Sequence, residues 1–291
     1  MYRHVRCIAA LAVLAACSKE APKADSSAVA QAGGATAAPA ASYDPATRVA
    51  TVVASDFAFV SPDTILAGWT TFRMLNNGGF HHMQIVRLQN GKTVADLIEA
   101  AKTPGAFPNW AVSVGGTGVP DPKTEANATV NLAPGQYVLL CFVDIPGKVP
   151  HFTKGMVRPL TVAASPAAGA EPKADVTVAL TDYAFTVKAG ALAAGKHTVK
   201  IVNDGPQDHE VQLIRLAPGK TFKDFGAWIA KPEGPPPASG LGGIAGLTKG
   251  GVGYFDVELS AGNYVLVCFA SDAKDKKPHV EHGMLKEFTV Q

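Results

Sequence analysis

One segment occurs twice in this 291-residue chain, and the repetition constrains the fold more than any other feature of the sequence. QIVRL at 84–88 returns as QLIRL at 212–216, and GQYVLLCF at 135–142 returns as GNYVLVCF at 262–269. The offset of about 127 residues is the size of a whole domain rather than of a solenoid unit. The sequence therefore predicts two tandem copies of one domain, and the predicted boundaries are 43–163 and 174–291 with a linker at 164–173.

Each copy has the sequence pattern of an antiparallel β-protein. Short β-rich runs such as TTFRML and QYVLLCF are separated by Gly, Pro and Asn turns, which favours a sandwich or a barrel. One short helix is expected after Thr93 and another after Thr221, because each threonine is followed three residues later by an aspartate that can complete an N-terminal cap. The predicted fold class is all-β, with one short helix inserted in each copy.

The N-terminal segment is typical of an export signal. Two arginines precede an apolar run of ten residues, which is too short to span a bilayer as a helix. The run ends in LAAC, which resembles the lipobox of bacterial lipoproteins and implies a signal peptide at 1–16 and lipid attachment at Cys17. Residues 17–42 are rich in Ala, Ser, Gly and Pro and are predicted to be a flexible linker. We expect a protein of the cell envelope, anchored to a membrane by lipid and facing the periplasm or the extracellular side. An ordinary secreted protein is the alternative.

The charge balance argues against nucleic acid as a partner. The chain has 26 basic and 24 acidic residues, and Arg3 and Arg6 lie in the leader. The rest of the chain is neutral and lacks the basic excess that nucleic-acid-binding proteins use. The single short apolar run also excludes a membrane channel or a multi-pass transporter.

The candidate chemistry surrounds two cysteines. Cys141 and Cys268 hold equivalent places in the two copies, so neither has a partner for a disulfide within its own domain. A His and then a Met follow each cysteine, five residues apart in both copies, and a further His lies far upstream. Two imidazoles, one thiolate and one thioether are the ligands of a blue-copper site. The candidates are His81 or His82, Cys141, His151 and Met156 in the first copy, and His209, Cys268, His279 and Met284 in the second.

These patterns resemble those of the cupredoxins, the plastocyanin-like blue-copper family, over nearly all of both copies. The family's last-strand pattern Gly-x-Tyr-x-apolar-x-Cys is met at 135–141 and 262–268, and its Asn-rich turn before a His is met at 76–82 and 203–209. The resemblance implies a Greek-key β-sandwich for each copy and two type 1-like copper sites per chain. It places the copper ligands at His81, Cys141, His151 and Met156, and at His209, Cys268, His279 and Met284.

Two adjacent histidines compete for the upstream position in the first copy. Counting from the aromatic residue after the turn, as in plastocyanins, gives His82. Aligning the two copies instead pairs His81 with His209 and His82 with Glu210. We prefer His81, because the alignment of the copies uses the longer ungapped stretch. Since side chains alternate along a strand, only one of the two can face a metal.

The loop between Cys and His departs from the plastocyanin pattern. It places His ten residues after Cys141 and eleven after Cys268, a longer interval than in plastocyanins but comparable to that in copper nitrite reductases. The first loop is fairly apolar and the second is charged. We therefore expect different solvent access, and hence different reduction potentials, at the two sites.

The function expected from these features is electron transfer with a redox partner protein. We expect no enzymatic activity, because neither cysteine has a neighbouring His that could serve a substrate-binding copper. A copper chaperone, buffer or sensor is the first alternative, and a two-domain copper oxidase or nitrite reductase is the second. Zinc is the competing metal, and a Cys141–Cys268 bridge is the competing use of the thiols.

Overall fold

The computed structural model describes residues 40–103, 107–145 and 149–291, with only the backbone of Ile145. The predicted signal peptide at 1–16, the predicted lipid-attachment residue Cys17 and most of the predicted linker at 17–42 lie outside the described residues. No helix in the described part of the chain is long and apolar enough to cross a membrane.

The first repeat is built from short strands and one helix. In chain order its elements are β1 (Ser42–Asp44), β2 (Val49–Ser55), β3 (Ala58–Val60), β4 (Thr64–Leu66), β5 (Gly68–Asn76), β6 (Met83–Leu88), α1 (Val94–Ala101), β7 (Ala111–Pro120), β8 (Glu125–Leu132), β9 (Gly135–Leu140), β10 (Asp144–Ile145), β11 (Val149–Pro150), a 3₁₀ turn (His151–Lys154) and β12 (Val157–Ala163).

The second repeat follows the same order of main elements. They are β13 (Val176–Thr181), β14 (Ala184–Ala189), β15 (Gly195–Asn203), β16 (His209–Leu216), α2 (Phe222–Ala230), β17 (Ala238–Leu247), β18 (Val252–Leu259), β19 (Gly262–Val267), a 3₁₀ turn (His279–His282) and β20 (Leu285–Val290). Both predicted helices begin at their predicted caps, where Thr93 and Thr221 each exchange hydrogen bonds with an aspartate three residues on. The predicted fold class is confirmed.

Two sheets run through both repeats. One has the strand order β1-β2-β5-β8-β18-β15-β13-β14, with β3 beside β2, and the other has the order β20-β19-β16-β17-β7-β6-β9-β12-β4. The repeats meet where β8 pairs with β18 and where β7 pairs with β17, both antiparallel. Each sheet of the first repeat therefore continues into the second.

The junction between β7 and β17 relates the repeats by an approximate two-fold axis. At the repeat offset of 127 residues, Val114 corresponds to Leu241 and Pro120 corresponds to Leu247. The structure pairs Val114 with Leu247 and Leu241 with Pro120. Each strand thus meets the other in the reciprocal way that a two-fold axis requires.

Two buried glutamines bridge the junction in the same reciprocal manner. Gln84 Nε2 donates to the carbonyl of Gly246 at 3.0 Å, and the amide of Val119 donates to Gln212 Oε1 at 2.8 Å. Gln84 and Gln212 are only 4% and 5% exposed. Each glutamine therefore has one partner in the backbone of the opposite repeat, and its other partners lie within its own repeat.

Each repeat has its own apolar core between the two sheets. Strand β6 shows how the core is oriented, because Met83 and Ile85 point into it while Val86 points outward and packs under helix α1. Leu97 of α1 is fully buried in that outer cluster. This alternation fixes which side chains at the start of β6 can point into the sandwich.

The segment predicted to link the two copies makes specific contacts. Arg48 donates to the carbonyl of Ala67 and to the hydroxyl of Ser165, and the amide of Trp69 donates to the carbonyl of Ala168 at 2.7 Å. These bonds attach the start of 164–173 to the first repeat. The boundaries of the two domains stay a prediction.

Candidate metal centres

Three of the predicted ligands in the first repeat meet at one end of its sandwich. His81 lies two residues before β6, Cys141 directly follows β9, and His151 begins a 3₁₀ turn. Strands β6 and β9 are hydrogen-bonded neighbours, which brings His81 close to Cys141. His81 Nδ1 lies 3.1 Å from His151 Nδ1, and Cys141 Sγ lies 3.5 Å from His151 Nδ1.

The second repeat reproduces this group with nearly the same distances. His209 Nδ1 lies 3.0 Å from His279 Nδ1, and Cys268 Sγ lies 3.4 Å from His279 Nδ1. In each repeat the candidate ligand atoms of the two His and the Cys all lie within 4.8 Å of one another, and the three residues are buried. Cys141 and Cys268 are both free thiols rather than the two halves of a disulfide.

The predicted methionines lie in the same cores as the cysteines. Met156 and Met284 are completely buried, each in the cluster that contains the cysteine of its repeat. Their backbones fold back onto the group, since the amide of Cys141 donates to the carbonyl of Met156 and the amide of Cys268 donates to that of Met284, both at 3.3 Å. Every one of the eight predicted ligands thus lies in or beside one of the two groups, and their role as ligands stays a prediction.

Two aspartates that the sequence analysis did not select orient the upstream histidines. Asp56 Oδ1 lies 3.2 Å from His81 Nε2, and Asp182 Oδ1 lies 2.9 Å from His209 Nε2. A carboxylate at Nε2 favours the tautomer with its proton there, which leaves Nδ1 with a free lone pair toward the Cys and the second His. The signal was present in the sequence, because DFAF and DYAF recur at equivalent positions.

The structure brings His81, and not His82, into the candidate metal-binding group. His82 Nε2 accepts a hydrogen bond from the amide of Phe142 at 2.7 Å, on the other side of the strand. Burial lowers the pKa of His82 to about 3, so its imidazole is neutral. Glu210 takes its place in the second repeat, where Oε1 accepts from the amide of Phe269 at 3.0 Å. Burial raises the pKa of the Glu210 carboxyl.

The second group carries a polar network that has no counterpart among the described residues around the first group. The ring of Tyr183 packs against His279, and its hydroxyl donates to Asp272 Oδ2 at 2.6 Å. The same carboxylate oxygen lies 3.9 Å from His279 Nε2. The hydrogen bond from Tyr183 is the largest cause that holds the pKa of Asp272 well below its usual range. In the first repeat the equivalent side chain is Phe57, which packs on His151 without a polar atom.

The donor set fits a transition-metal ion with nitrogen and sulfur ligands. Burial raises the pKa of the Cys141 thiol to about 12 and raises that of Cys268 as well, and burial lowers the pKa of His279 to about 4. His279 Nε2 has no hydrogen-bond partner among the described atoms. Soft sulfur and imidazole nitrogen are the donors that copper and zinc prefer, and a bound cation would stabilise the thiolate that burial disfavours.

Other histidines are engaged elsewhere in the described ranges. His197 lies on strand β15 and belongs to neither group. It contacts Asp175 and the carbonyl of Ala193. His282 Nε2 lies 3.1 Å from Asp275 Oδ1, and these two residues form a third cluster with Asp272. The ring nitrogen of His282 and the oxygens of the two aspartates already have hydrogen-bond partners within the chain.

No family model matches the chain, and no curated protein matches it. Among solved structures, a dithionite-reduced auracyanin from Roseiflexus castenholzii is 21% identical and aligns with 40% of this chain and 97% of its own, at a TM-score of 0.27. A multicopper oxidase is 12% identical and aligns with 86% of this chain and 92% of its own, at a TM-score of 0.24. The copper nitrite reductase of Nitrosomonas europaea is 14% identical, with corresponding coverages of 84% and 93% and a TM-score of 0.23.

These matches correct the expectation that the chain is not an enzyme. The multicopper oxidase and the nitrite reductase are enzymes, and each aligns with at least 84% of this chain. The expectation rested on the lack of a His beside Cys141 and Cys268. Those neighbours bear only on the link to a second, substrate-binding copper.

Proposed function

We propose that this chain transfers electrons through two copper ions, one bound in each repeat. A single observation carries the proposal, namely that the same buried group of two His and one Cys, with a buried Met beside it, occurs twice. The thiolate and thioether stabilise the cuprous ion, and the imidazoles stabilise the cupric ion. The ligands would be His81, Cys141, His151 and Met156 in one site, and His209, Cys268, His279 and Met284 in the other.

The burial and the backbone hydrogen bonds of the described groups support electron transfer. Each ligand side chain is buried, and the Cys and Met are joined by backbone hydrogen bonds. A pocket that changes little between the two oxidation states keeps the barrier for one-electron transfer low. The proposed redox partner is a protein, to which the electron would pass through the side chains that bury the candidate ligands.

We further propose that the protein works at the cell envelope and is held there by a lipid on Cys17. The basis is the leader at 1–16 and the LAAC sequence that ends in the cysteine. Replacing Cys17 by Ala should abolish metabolic labelling with a radioactive fatty acid and release the protein from the membrane fraction. Unchanged membrane association would contradict the proposed anchor.

Metal analysis and absorption spectroscopy on residues 18–291 test copper binding. After addition of copper and oxidation, we expect two copper ions per chain and a visible band from the thiolate bond. Cys141→Ser and Cys268→Ser should each remove one copper ion. Met156→Leu should shift the band, whereas Met74→Leu, a buried methionine outside both groups, should not. Retention of both ions in the two serine variants, or preferential loading with zinc, would contradict the proposal.

Electrochemistry separates a carrier from the alternative functions. A carrier should interconvert reversibly between stable oxidised and reduced forms, and the visible band should vanish on reduction. Binding of the cuprous ion alone would indicate a chaperone or a buffer. Sustained consumption of oxygen or nitrite in the presence of an electron donor would instead make the protein an enzyme.

A further inference from the structure

The two candidate centres differ in how closely acidic groups approach them. The aspartate that contacts the upstream histidine is more buried in the second repeat, because the side chain of Asp182 is 33% exposed whereas that of Asp56 is 69% exposed. Its contact is also shorter, at 2.9 Å to His209 against 3.2 Å to His81. Water screens a buried charge less than an exposed one, so Asp182 acts more strongly on its centre.

Among the described residues, an acidic side chain lies within 4.0 Å of the downstream histidine in the second repeat but not in the first. Asp272 Oδ2 is 3.9 Å from His279 Nε2, and its side chain is only 2% exposed. Tyr183 and Gln207 both donate to this oxygen, which holds the carboxylate in place. In the first repeat the ring of Phe57 covers His151, and Asp144 in the corresponding loop acts on Cys141 from a solvent-exposed position.

The residue behind the cysteine differs as well. His82 accepts a hydrogen bond from the amide of Phe142, and its counterpart Glu210 accepts one from the amide of Phe269. The carboxylates that contact the histidines of the second group are those of Asp182 and Asp272.

Negative charge stabilises the more positive oxidation state of a bound ion. A cupric ion carries one more positive charge than a cuprous ion, so a nearby carboxylate lowers the reduction potential of the site. We propose that the centre of the second repeat has the lower reduction potential of the two, and that an electron taken up by the protein settles on the first repeat. This inference rests on the proposed function, because it requires copper in both groups.

Single-site variants measure the order of the two potentials. Cys141→Ser leaves only the second centre and Cys268→Ser leaves only the first, and each is titrated against redox mediators while the visible band is followed. We expect the equilibrium to favour the electron on the first centre at least tenfold, which is about 59 mV for one electron. Equal potentials, or a higher potential at the second centre, would overturn the inference.

Isosteric changes test the assigned cause. Asp272→Asn keeps the oxygen that accepts from the amides of the loop but removes the charge, and it should raise the potential of the second centre. Asp182→Asn should raise the reduction potential of the second centre by more than the matched Asp56→Asn raises the reduction potential of the first centre. Unchanged potentials in both second-repeat variants would overturn the cause. A protein that binds no copper would overturn the proposed function itself, whereas two loaded sites in the wrong order would overturn this inference alone.

Discussion

At the scale of single residues, the neighbouring His81 and His82 have different roles, because side chains alternate along a strand. His81 enters the sandwich on the side of Met83 and Ile85, where it meets Cys141. His82 points to the other side and holds the amide of Phe142. A difference of one position thus separates a candidate ligand from a residue that supports the strand after it.

Alanine variants of the two histidines should behave differently. His81→Ala should lose the copper of the first repeat, because it removes a ligand. His82→Ala should keep both copper ions but lower the free energy of unfolding by about 2 kcal/mol, because the buried amide of Phe142 loses its acceptor. Copper analysis and denaturant unfolding check both expectations.

His82→Glu is the matched control, since it installs the arrangement of Glu210 and Phe269 in the first repeat. It should recover part of the stability that the alanine variant loses. Loss of the first copper only when His82 is replaced would reverse the assignment of the two histidines.

The candidate ligands could be predicted at this scale, whereas the repeated DFAF and DYAF segments marked Asp56 and Asp182 as equivalent without showing what they contact. The two copies align without a gap from Gln84 to Arg87, and this fixed His81 as the counterpart of His209. Asp56 lies 25 residues before His81 and reaches it only because the turn between β2 and β3 folds over the end of β6. A contact of that kind depends on tertiary packing, which a sequence pattern does not describe.

At the scale of the elements, the glycine-rich strands β7 and β17 depart most from what the sequence indicates. The β-branched runs predicted strands such as β5 and β9. The glycines of β7 instead are typical of turns, yet the segment is a ten-residue strand. Its glycines allow the backbone of β7 to approach neighbouring strands closely. A Cβ at Gly116 would lie 1.8 Å from the carbonyl oxygen of Met83 on β6.

Gly116→Ala should therefore be strongly destabilising. The backbone there has a φ of +121°, and the added methyl group would meet the backbone of β6. We expect a loss of roughly 3 kcal/mol or more in the free energy of unfolding. Gly91→Ala is the control, because its φ is +68° and nothing lies within 4 Å of the added atom. It should cost only about 1 kcal/mol. Equal losses in the two variants, measured by denaturant unfolding, would show that the contact is not the cause.

At the scale of the whole molecule, the repeats are joined more firmly than their linker composition indicates. The sequence predicts two similar units, but it does not show that β7 pairs with β17 and β8 with β18. Gln84 and Gln212, each flanked by apolar residues, were the available signal, because a buried amide side chain needs partners. One partner of each glutamine lies in the opposite repeat, and its position follows only from the packing of the two units.

We expect the two repeats to unfold together. Shared sheets couple them, so calorimetry should show one transition, and the visible bands of Cys141→Ser and Cys268→Ser should disappear at that same transition. Gln84→Ala should lower the free energy of unfolding by about 2 kcal/mol without dividing the transition, because the carbonyls of Ile85, Gly115 and Gly246 lose a donor. Gln89→Ala, on an exposed residue, should change it by less than about 0.5 kcal/mol. Two separate transitions would contradict this coupling.

The reciprocal pairing of β7 with β17 makes the chain comparable to a homodimer whose subunits have been fused. In a dimer of identical subunits, every substitution appears twice, so the two sites are obliged to stay the same. Fusion fixes the ratio of the halves at one to one and lifts that obligation. The second repeat has Tyr183 where the first has Phe57, and Glu210 where the first has His82. Differences of this kind become possible only after the two halves are fused. A symmetric scaffold can in this way hold two sites that have diverged independently.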